Sequence, residues 1–560
     1  MKSCSRKGLY LAISKLTEAD HGVKAGNAAS QSKREEPDPV RRPVSVTQRP
    51  LITCHRLSRE NDGWDVYITD SSCCPDCGLT SNSLLCLTPP SSKLFGHFLE
   101  GIKYGIFDVQ THFYSMFKDK KVYGWYDFKT PTIVLRDLDL IKDICVKHFG
   151  NFSNRRAVVR FEPPFDENLL TIFGDHWKRV RSTVSPTFSS GRLKKMSRHI
   201  ERNAKLFQRV LHQKQESNEE IELKEMMSRV TMDTIASTGF GLDVDSLNHP
   251  DNEFSKHAKA FLNPNVGLFL ISYVVPFLGK ILNAVGMKFI SQNSSDYFKN
   301  VIEAALQERK ESGNAGKLHD FLDLVINAEE KETGEADEKS KVLASLSHNE
   351  ILSQALTFIL AGYDTVSSVL AFTLFLLAMH PKHQRLVQEE LDLKLGDSDQ
   401  EDTVPDYEGV QNLLYLDQCI NETMRLFPPG ILLDRVCNEE ITLHGVRFPK
   451  GMPVILPIYA IHRDPEIWVD PDEFKPERFS PEAKEARHQF SYFPFGQGPR
   501  NCIGMRLGQL ELKIVLASML RHFDVVPCQK TVYPIKLSQW QLAAKDGLWV
   551  KLESRTRKQQ

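Results

Sequence analysis

Phe493-Pro494-Phe495-Gly496-Gln497-Gly498-Pro499-Arg500-Asn501-Cys502-Ile503-Gly504 runs straight into Met505-Arg506-Leu507-Gly508-Gln509-Leu510-Glu511-Leu512-Lys513, a segment of helical period. The glycines and proline around one cysteine describe a tight loop that holds a thiol at a helix N-terminus. Glycine permits dihedrals closed to other residues and lets backbone N–H groups approach the sulfur, while the helix dipole favours negative charge there. The position suits a thiolate that binds a soft metal. The alternative for a lone cysteine beside glycine turns is a buried small hydrophobe.

Three further patterns lie upstream of this loop. Glu422 and Arg425 sit three apart on one face of a helix, with Pro476-Glu477-Arg478-Phe479 following later; an ordinary helical ion pair accounts for the first two. A long helix spans about Ser347 to His380, opened by the capping box Ser347-His348-Asn349-Glu350 and closed before Pro381. Its interior is apolar nearly all round, as for a helix through the centre of a large domain. Ala361-Gly362-Tyr363-Asp364-Thr365 interrupts it, placing an acid and a hydroxyl where the pattern predicts neither. A pair of this kind also bends helices or satisfies local backbone groups. Trp177 and Arg181, four apart, share one face of a basic amphipathic helix. Lys178, Arg179, Arg192, Lys194 and Lys195 form either a solvated face or a docking surface for an acidic electron donor.

Elsewhere, alternation in Val122–Tyr126 and Thr132–Leu135 predicts a hairpin turning near Lys129-Thr130-Pro131, followed by a helix from Asp137 to His148. Helical period continues through roughly 197 to 243, and Val454–Ile458 reads as strand. Val266–Leu278 is apolar but too short to span a bilayer, so it is either buried core or a surface patch that dips into a membrane.

The cysteine loop, Phe-Gly-x-Gly-x-Arg-x-Cys-x-Gly, resembles the haem-binding loop of cytochromes P450. Ala-Gly-Tyr-Asp-Thr, Glu-x-x-Arg with Pro-Glu-Arg-Phe, and Trp-x-x-x-Arg are similar to the other three signatures, in the family's order, over about residues 88 to 553. The resemblance implies a mainly α fold with a small β region, the triangular haem-thiolate domain of the P450 fold, occupying 86–555, with haem b between the long helix and the cysteine loop. By the same resemblance Cys502 is the axial iron ligand and Phe495 packs against its loop. Arg155, Trp177, Arg181, Arg435 and Arg500 bind the haem propionates. Asp364 and Thr365 open an oxygen groove and relay protons. Leu360, Ala361, Ile431, Leu432 and Leu433 face substrate, and Trp540 narrows the pocket. Glu422, Arg425 and Arg478 are structural, locking the region beneath the loop.

Phe-Gly-Gln-Gly-Pro-Arg-Asn-Cys-Ile-Gly-Met-Arg and Ser185–Gly191 look like the microsomal family-3 group. That likeness implies an unspecific monooxygenase inserting one atom of O2 into steroids and xenobiotics. Its electrons come from NADPH through a diflavin reductase, NADPH–cytochrome P450 reductase, with cytochrome b5 as a second donor, at the cytoplasmic face of the endoplasmic reticulum membrane. A haem-thiolate isomerase or synthase needs no external electrons, but such enzymes tend to lack the acid–hydroxyl pair. A non-catalytic haem-binding protein is the other alternative.

The 71 Lys+Arg balance 72 Asp+Glu, so the total carries no nucleic-acid footprint. Eleven cysteines, odd in number and scattered, do not resemble a secreted disulfide framework. Residues 1–85 carry no sustained period and read as disordered. Their longest apolar run, Gly8 to Ile13, is too short for a membrane span, so this sequence reads without the transmembrane anchor of microsomal members. Cys73-Cys74-Pro75-Asp76-Cys77 lacks a second pair at zinc spacing, which favours chance cysteines.

Overall fold

The structure is a computed structural model, and it describes residues 95–128, 130–156, 163–262, 291–311, 321–322, 346–396 and 403–555. All of these fall in the second of two units into which the chain divides, Arg56–Gln560. The expectations for residues 1–85, the cysteines at 73–77 and the apolar run at 266–278 lie outside the described residues.

Helices α1 (Phe98–Tyr104) and α2 (Ile106–Met116) lead to strands β1 (Val122–Asp127) and β2 (Thr130–Leu135). These pair as the predicted hairpin, but Asp127 faces Thr130 and Tyr126 faces Pro131, so the reversal precedes the expected turn. Pro131 is tolerated within β2 because the strand on its other side pairs only at Ile133 and Val134, where no N–H is missing.

Helix α3 (Leu138–Lys142) is capped by the Asp137 carboxylate, which accepts from the Leu140 N–H at 2.8 Å. The predicted helix continues, but as a π turn over Asp143–Lys147. Then come α4 (Gly174–Val184), α5 (Ser190–Glu216), β3 (Glu220–Glu222), α6 (Leu223–Phe240), α7 (Glu253–Leu262), α8 (Gln292–Glu311), α9 (His348–Met379), α10 (Pro381–Leu395) and α11 (Leu414–Leu426). The C-terminal part holds β4 (Leu433–Val436), β5 (Ile441–Leu443), β6 (Val446–Phe448), β7 (Pro453–Leu456), α12 (Ile458–Ile461), α13 (Pro481–Glu485), α14 (Met505–His522), β8 (Phe523–Pro527) and β9 (Trp549–Ser554). Helical period over 197–243 is therefore interrupted. Asn218 takes a left-handed conformation, φ 58°, and β3 then pairs with β9.

Sheets run in the orders β1-β2-β7-β4, β3-β9-β8 and β5-β6 among the described strands. Helix α9 is the axis of the core. Its capping box forms as read, with Ser347 accepting from the Glu350 N–H and Glu350 accepting from the Ser347 N–H. By length and composition α9 could cross a membrane, but 72% of its apolar window is buried against protein. Helices α6 and α14 pack along it. The approach of α6 explains Gly362: a Cβ there would lie 2.7 Å from the Ile235 side chain.

Candidate active site

Four features bear on a site at Cys502. The first is the loop that carries it. Gly496 and Gly498 both have positive φ, 70° and 77°. Gly498 has a second constraint, since a Cβ would fall 2.0 Å from the carbonyl oxygen of Cys145 in the π turn. The Cys502 N–H donates to the Phe495 carbonyl at 2.8 Å, closing the loop, and α14 begins three residues later. Phe495 itself is part-buried against the core. The thiol is accessible, yet surrounding protein raises its pKa, as for a side chain on the wall of an internal hollow. Burial outweighs the Gly504 and Met505 N–H groups and the guanidiniums of Arg181 and Arg155, which pull the other way. The helix N-terminus alone therefore does not secure the thiolate expected from sequence. A bound metal does, because a coordinating thiol is deprotonated outright.

The second feature is a group of arginines. Arg435 is fully buried, and only its Nη1 has a partner, the Asp434 carbonyl at 2.7 Å. Arg500, nearly as buried, donates from Nη2 to the Ile172 carbonyl at 2.6 Å and stacks 4.6 Å from the centre of the Trp177 ring. Nε and Nη2 of Arg435, and Nε and Nη1 of Arg500, have no partner among the described residues. Arg181 donates to the Asn501 Oδ1 at 3.1 Å, and Arg155 acts electrostatically on Arg181, Arg435 and Arg500 alike. Burial, then Arg155 and Arg435, push Arg500 down to about 9. The nearest acid, Asp434, already pairs with Arg156. A buried donor without an acceptor costs about 1–3 kcal/mol, and more when charged. Four such nitrogens on two buried cations call for an anionic ligand. The two carboxylates of haem b fit that demand, so the residues present suit the group.

The third feature is the exposed break in α9. Ala361, Asp364 and Thr365 share one helix face and are exposed on a helix otherwise buried for most of its length. The Thr365 hydroxyl donates to the Ala361 carbonyl at 2.7 Å. Asp364 is not free. Lys224, on α6, donates from Nζ to its Oδ1 at 2.8 Å, to its carbonyl at 2.9 Å, and to Ser367 and Ser368 at 2.7 and 2.8 Å. Sequence reasoning missed Lys224, since one lysine in an amphipathic stretch carries no signal. Leu360 is part-buried among the apolar residues on the α6 side. Ile431, Leu432 and Leu433 are part-buried where the chain enters β4, with Leu433 over Gly496 of the cysteine loop. Trp540 does not sit as expected. It is 46% exposed, leans on Phe98 at 5.8 Å and covers Gly101, so its ring contacts are made with α1. The physical cause is the bond from the Ile106 N–H to the Gln539 carbonyl, 2.9 Å, which pins the loop against the junction of α1 and α2.

The fourth feature locks the base. Glu422 and Arg425 are both 0% exposed, with bonds of 2.7 and 2.9 Å, and Arg478 joins Glu422 at 3.2 Å. Arg425 also donates to the carbonyls of His462 and Pro471 at 2.8 and 2.7 Å, which no ordinary surface ion pair does. His462 is buried. Desolvation, with Arg425 and Arg463 beside it, holds its pKa well below the usual value, and its neutral Nε2 accepts from the Phe493 N–H at 3.2 Å. The lock is thereby joined to the cysteine loop.

A thiol on a glycine loop, buried arginines lacking acceptors among the described residues, and an exposed acid–hydroxyl pair on α9 are the donor set of a haem-thiolate oxygenase. Comparison with known proteins gives the family. A family model described as Cytochrome P450 matches residues 88–548. The chain is 38% identical to cytochrome P450 3A1 of Rattus norvegicus over 439 residues, covering 77% of this chain and 84% of that protein. It is 36% identical to cytochrome P450 3A5 of Homo sapiens over 473 residues, 83% and 91% of the two. It is 36% identical to cytochrome P450 3A13 of Mus musculus over 454 residues, 80% and 87% of the two. The chain belongs to the cytochrome P450 family, in its family-3 group, as a monooxygenase using haem b, O2 and NADPH-derived electrons.

Proposed function

We propose that this protein hydroxylates lipophilic molecules of the steroid and xenobiotic class, receiving electrons from a diflavin NADPH reductase with cytochrome b5 as a second donor, at the cytoplasmic face of the endoplasmic reticulum. Residues 86–555 form its catalytic domain. The observation that carries the reading is the pairing of Cys502 with the buried, acceptor-poor guanidiniums of Arg435 and Arg500. The group held there, haem b, supplies oxygen activation, with the cysteinate as electron-donating ligand.

The chain's own residues do the rest. Cys502 would hold the group through its sulfur, and Arg435, Arg500, Arg181, Arg155 and Trp177 would hold its two carboxylates. Ala361 leaves space beside the helix, and Leu360 and Ile431–Leu433 exclude water and hold an apolar substrate. Thr365 offers a hydroxyl, and Asp364 a carboxylate, for proton transfer at the oxygen site. Lys224 holds that carboxylate at a fixed position. The acid–hydroxyl pair is also the reason to prefer oxygenation over electron-free isomerisation.

The test is a carbon monoxide difference spectrum of the reduced protein beside Cys502→Ser. A strongly red-shifted Soret band, lost in the variant, followed by NADPH- and reductase-dependent hydroxylation of a steroid, is the expected result. Folded, haem-supplemented protein without that band would refute the reading. Product formed without NADPH would move it to the isomerase class.

A further inference from the structure

A cavity of about 530 Å3 opens between α2, the residue that follows β2 and the turn that leaves α12. None of its lining residues is among those placed at haem or substrate. Its size lies within the range of about 300–1,000 Å3 that small-molecule sites occupy. Charged side chains line it at two depths, and the two differ in sign.

The deep part is cationic. Arg136 is 8% exposed and lies 4.2 Å from the centre of the Tyr114 ring, while Arg463 lies 3.9 Å from the centre of the Tyr459 ring. Arg136 donates from Nη1 to the Phe117 carbonyl at 2.7 Å, and Arg463 from Nη2 to the Leu426 carbonyl. Arg136 Nε and Arg463 Nη1 have no partner among the described residues. The one buried acid of the cavity, Asp464, is already engaged: it accepts from the Tyr114 hydroxyl at 2.9 Å and the Glu466 N–H at 3.0 Å, and approaches Arg136 only to 3.5 Å. Burial lowers the pKa of Arg463, and Arg425 adds to this, by more than Tyr459 and Asp472 restore. Two guanidiniums therefore share one committed carboxylate, and a buried charged donor without an acceptor is costly.

The mouth is acidic. Asp108, Glu466 and Asp472 stand exposed there, against Lys118 and His112. Asp472 comes within 3.6 Å of Arg463 Nε, but water screens a carboxylate so exposed. A polyanion entering the cavity has to pass three carboxylates, and a simple cation finds the deep part already positive. A molecule with a negative end and a positive end satisfies both depths.

The geometry points to a second binding site, built for a small zwitterion. Its phosphate or carboxylate lies against Arg136 and Arg463, since a guanidinium fork suits either oxyanion, and its ammonium group faces Asp108, Glu466 and Asp472. A soluble zwitterion and the headgroup of a zwitterionic phospholipid share this chemistry. The site stands independently of the assignment of haem and substrate.

The test is isothermal titration of the haem-loaded enzyme with glycerophosphocholine, inorganic phosphate and choline as separate probes. Glycerophosphocholine should bind once per chain, about threefold more tightly than phosphate because of the acids at the mouth, and choline should not bind measurably. Arg136→Met should weaken glycerophosphocholine by at least about tenfold, with circular dichroism and the carbon monoxide spectrum of the reduced protein unchanged. If that variant does not fold, the exposed pair Glu466→Gln/Asp472→Asn decides: it should erase the preference over phosphate. Phosphatidylcholine vesicles that displace the bound probe would support a lipid headgroup as the occupant of the site; vesicles that leave it bound would support a soluble one. Absence of binding at millimolar probe, choline bound more tightly than phosphate, or glycerophosphocholine affinity and preference unchanged in the folded variants would overturn the inference.

Discussion

Arg435 keeps a full charge at 0% exposure with a single hydrogen bond. Replacing an unpaired buried charge by an apolar chain of similar length removes a penalty, so Arg435→Met should leave the haem-free protein as stable or more stable by about 1–4 kcal/mol. The same change removes an acceptor-seeking cation from the ligand site, and haem should dissociate faster. Chemical denaturation of the haem-free protein and transfer of haem to a scavenger measure the two effects, and they should move in opposite directions. Glu511 poses the converse case. It is 3% exposed, and burial raises its pKa well above the usual glutamate value, against a smaller opposing pull from the Thr234 hydroxyl. A folded-state pKa raised above the unfolded one gives stability that is complete below about pH 4.3 and lost as pH climbs through the folded value. Glu511→Gln does not titrate, so its denaturation midpoint should gain on the unaltered protein steadily above that pH and match its trend below it. These residues differ in how visible they were beforehand. Cys502 and Asp364 were legible because each breaks the composition around it. Lys224 and His462 were not, because a lysine near a helix start and a histidine in a turn are ordinary until the fold brings Asp364 and Phe493 to them.

Elements were legible where local chemistry decides them and obscure where distant packing does. The capping box of α9 formed as read, and α3 begins after Asp137 where a helix was expected, since both starts are satisfied within four residues. The π turn after α3 had no local signal; it brings the Cys145 carbonyl to Gly498, a contact made across the molecule. Trp540 likewise follows a bond between its loop and the junction of α1 and α2, which no pattern in its own neighbourhood encodes. Close approach of α6 and α9 yields a test at this scale. Gly362→Ala puts a methyl group 2.7 Å from Ile235, an overpacking that should cost about 1–3 kcal/mol. Ile235→Ala alone should also destabilise, by leaving a cavity. The double variant should recover stability relative to the sum of the two, and a double-mutant cycle in urea measures that coupling.

At the scale of the whole molecule, the buried ion pair connects parts of the chain far apart in sequence: α11, the Pro471–Glu473 backbone, Arg478 and, through His462, the start of the cysteine loop. Glu422→Ala leaves Arg425 charged and unpaired at zero exposure, which should cost about 3–5 kcal/mol. Haem retention should fall together with global stability, unlike in Arg435→Met, and parallel loss of the Soret band and the far-ultraviolet signal in one denaturation series checks it. The apolar axis of the fold has a consequence during synthesis. Helix α9 is long and apolar enough to be taken for a membrane segment, and what covers it comes from both sides of it in the chain, α6 before and α14 after. At about 5–20 residues per second, a ribosome needs on the order of ten seconds to pass from the end of α9 to the end of α14. For that interval the nascent chain presents to the insertion machinery a stretch that only the finished protein conceals.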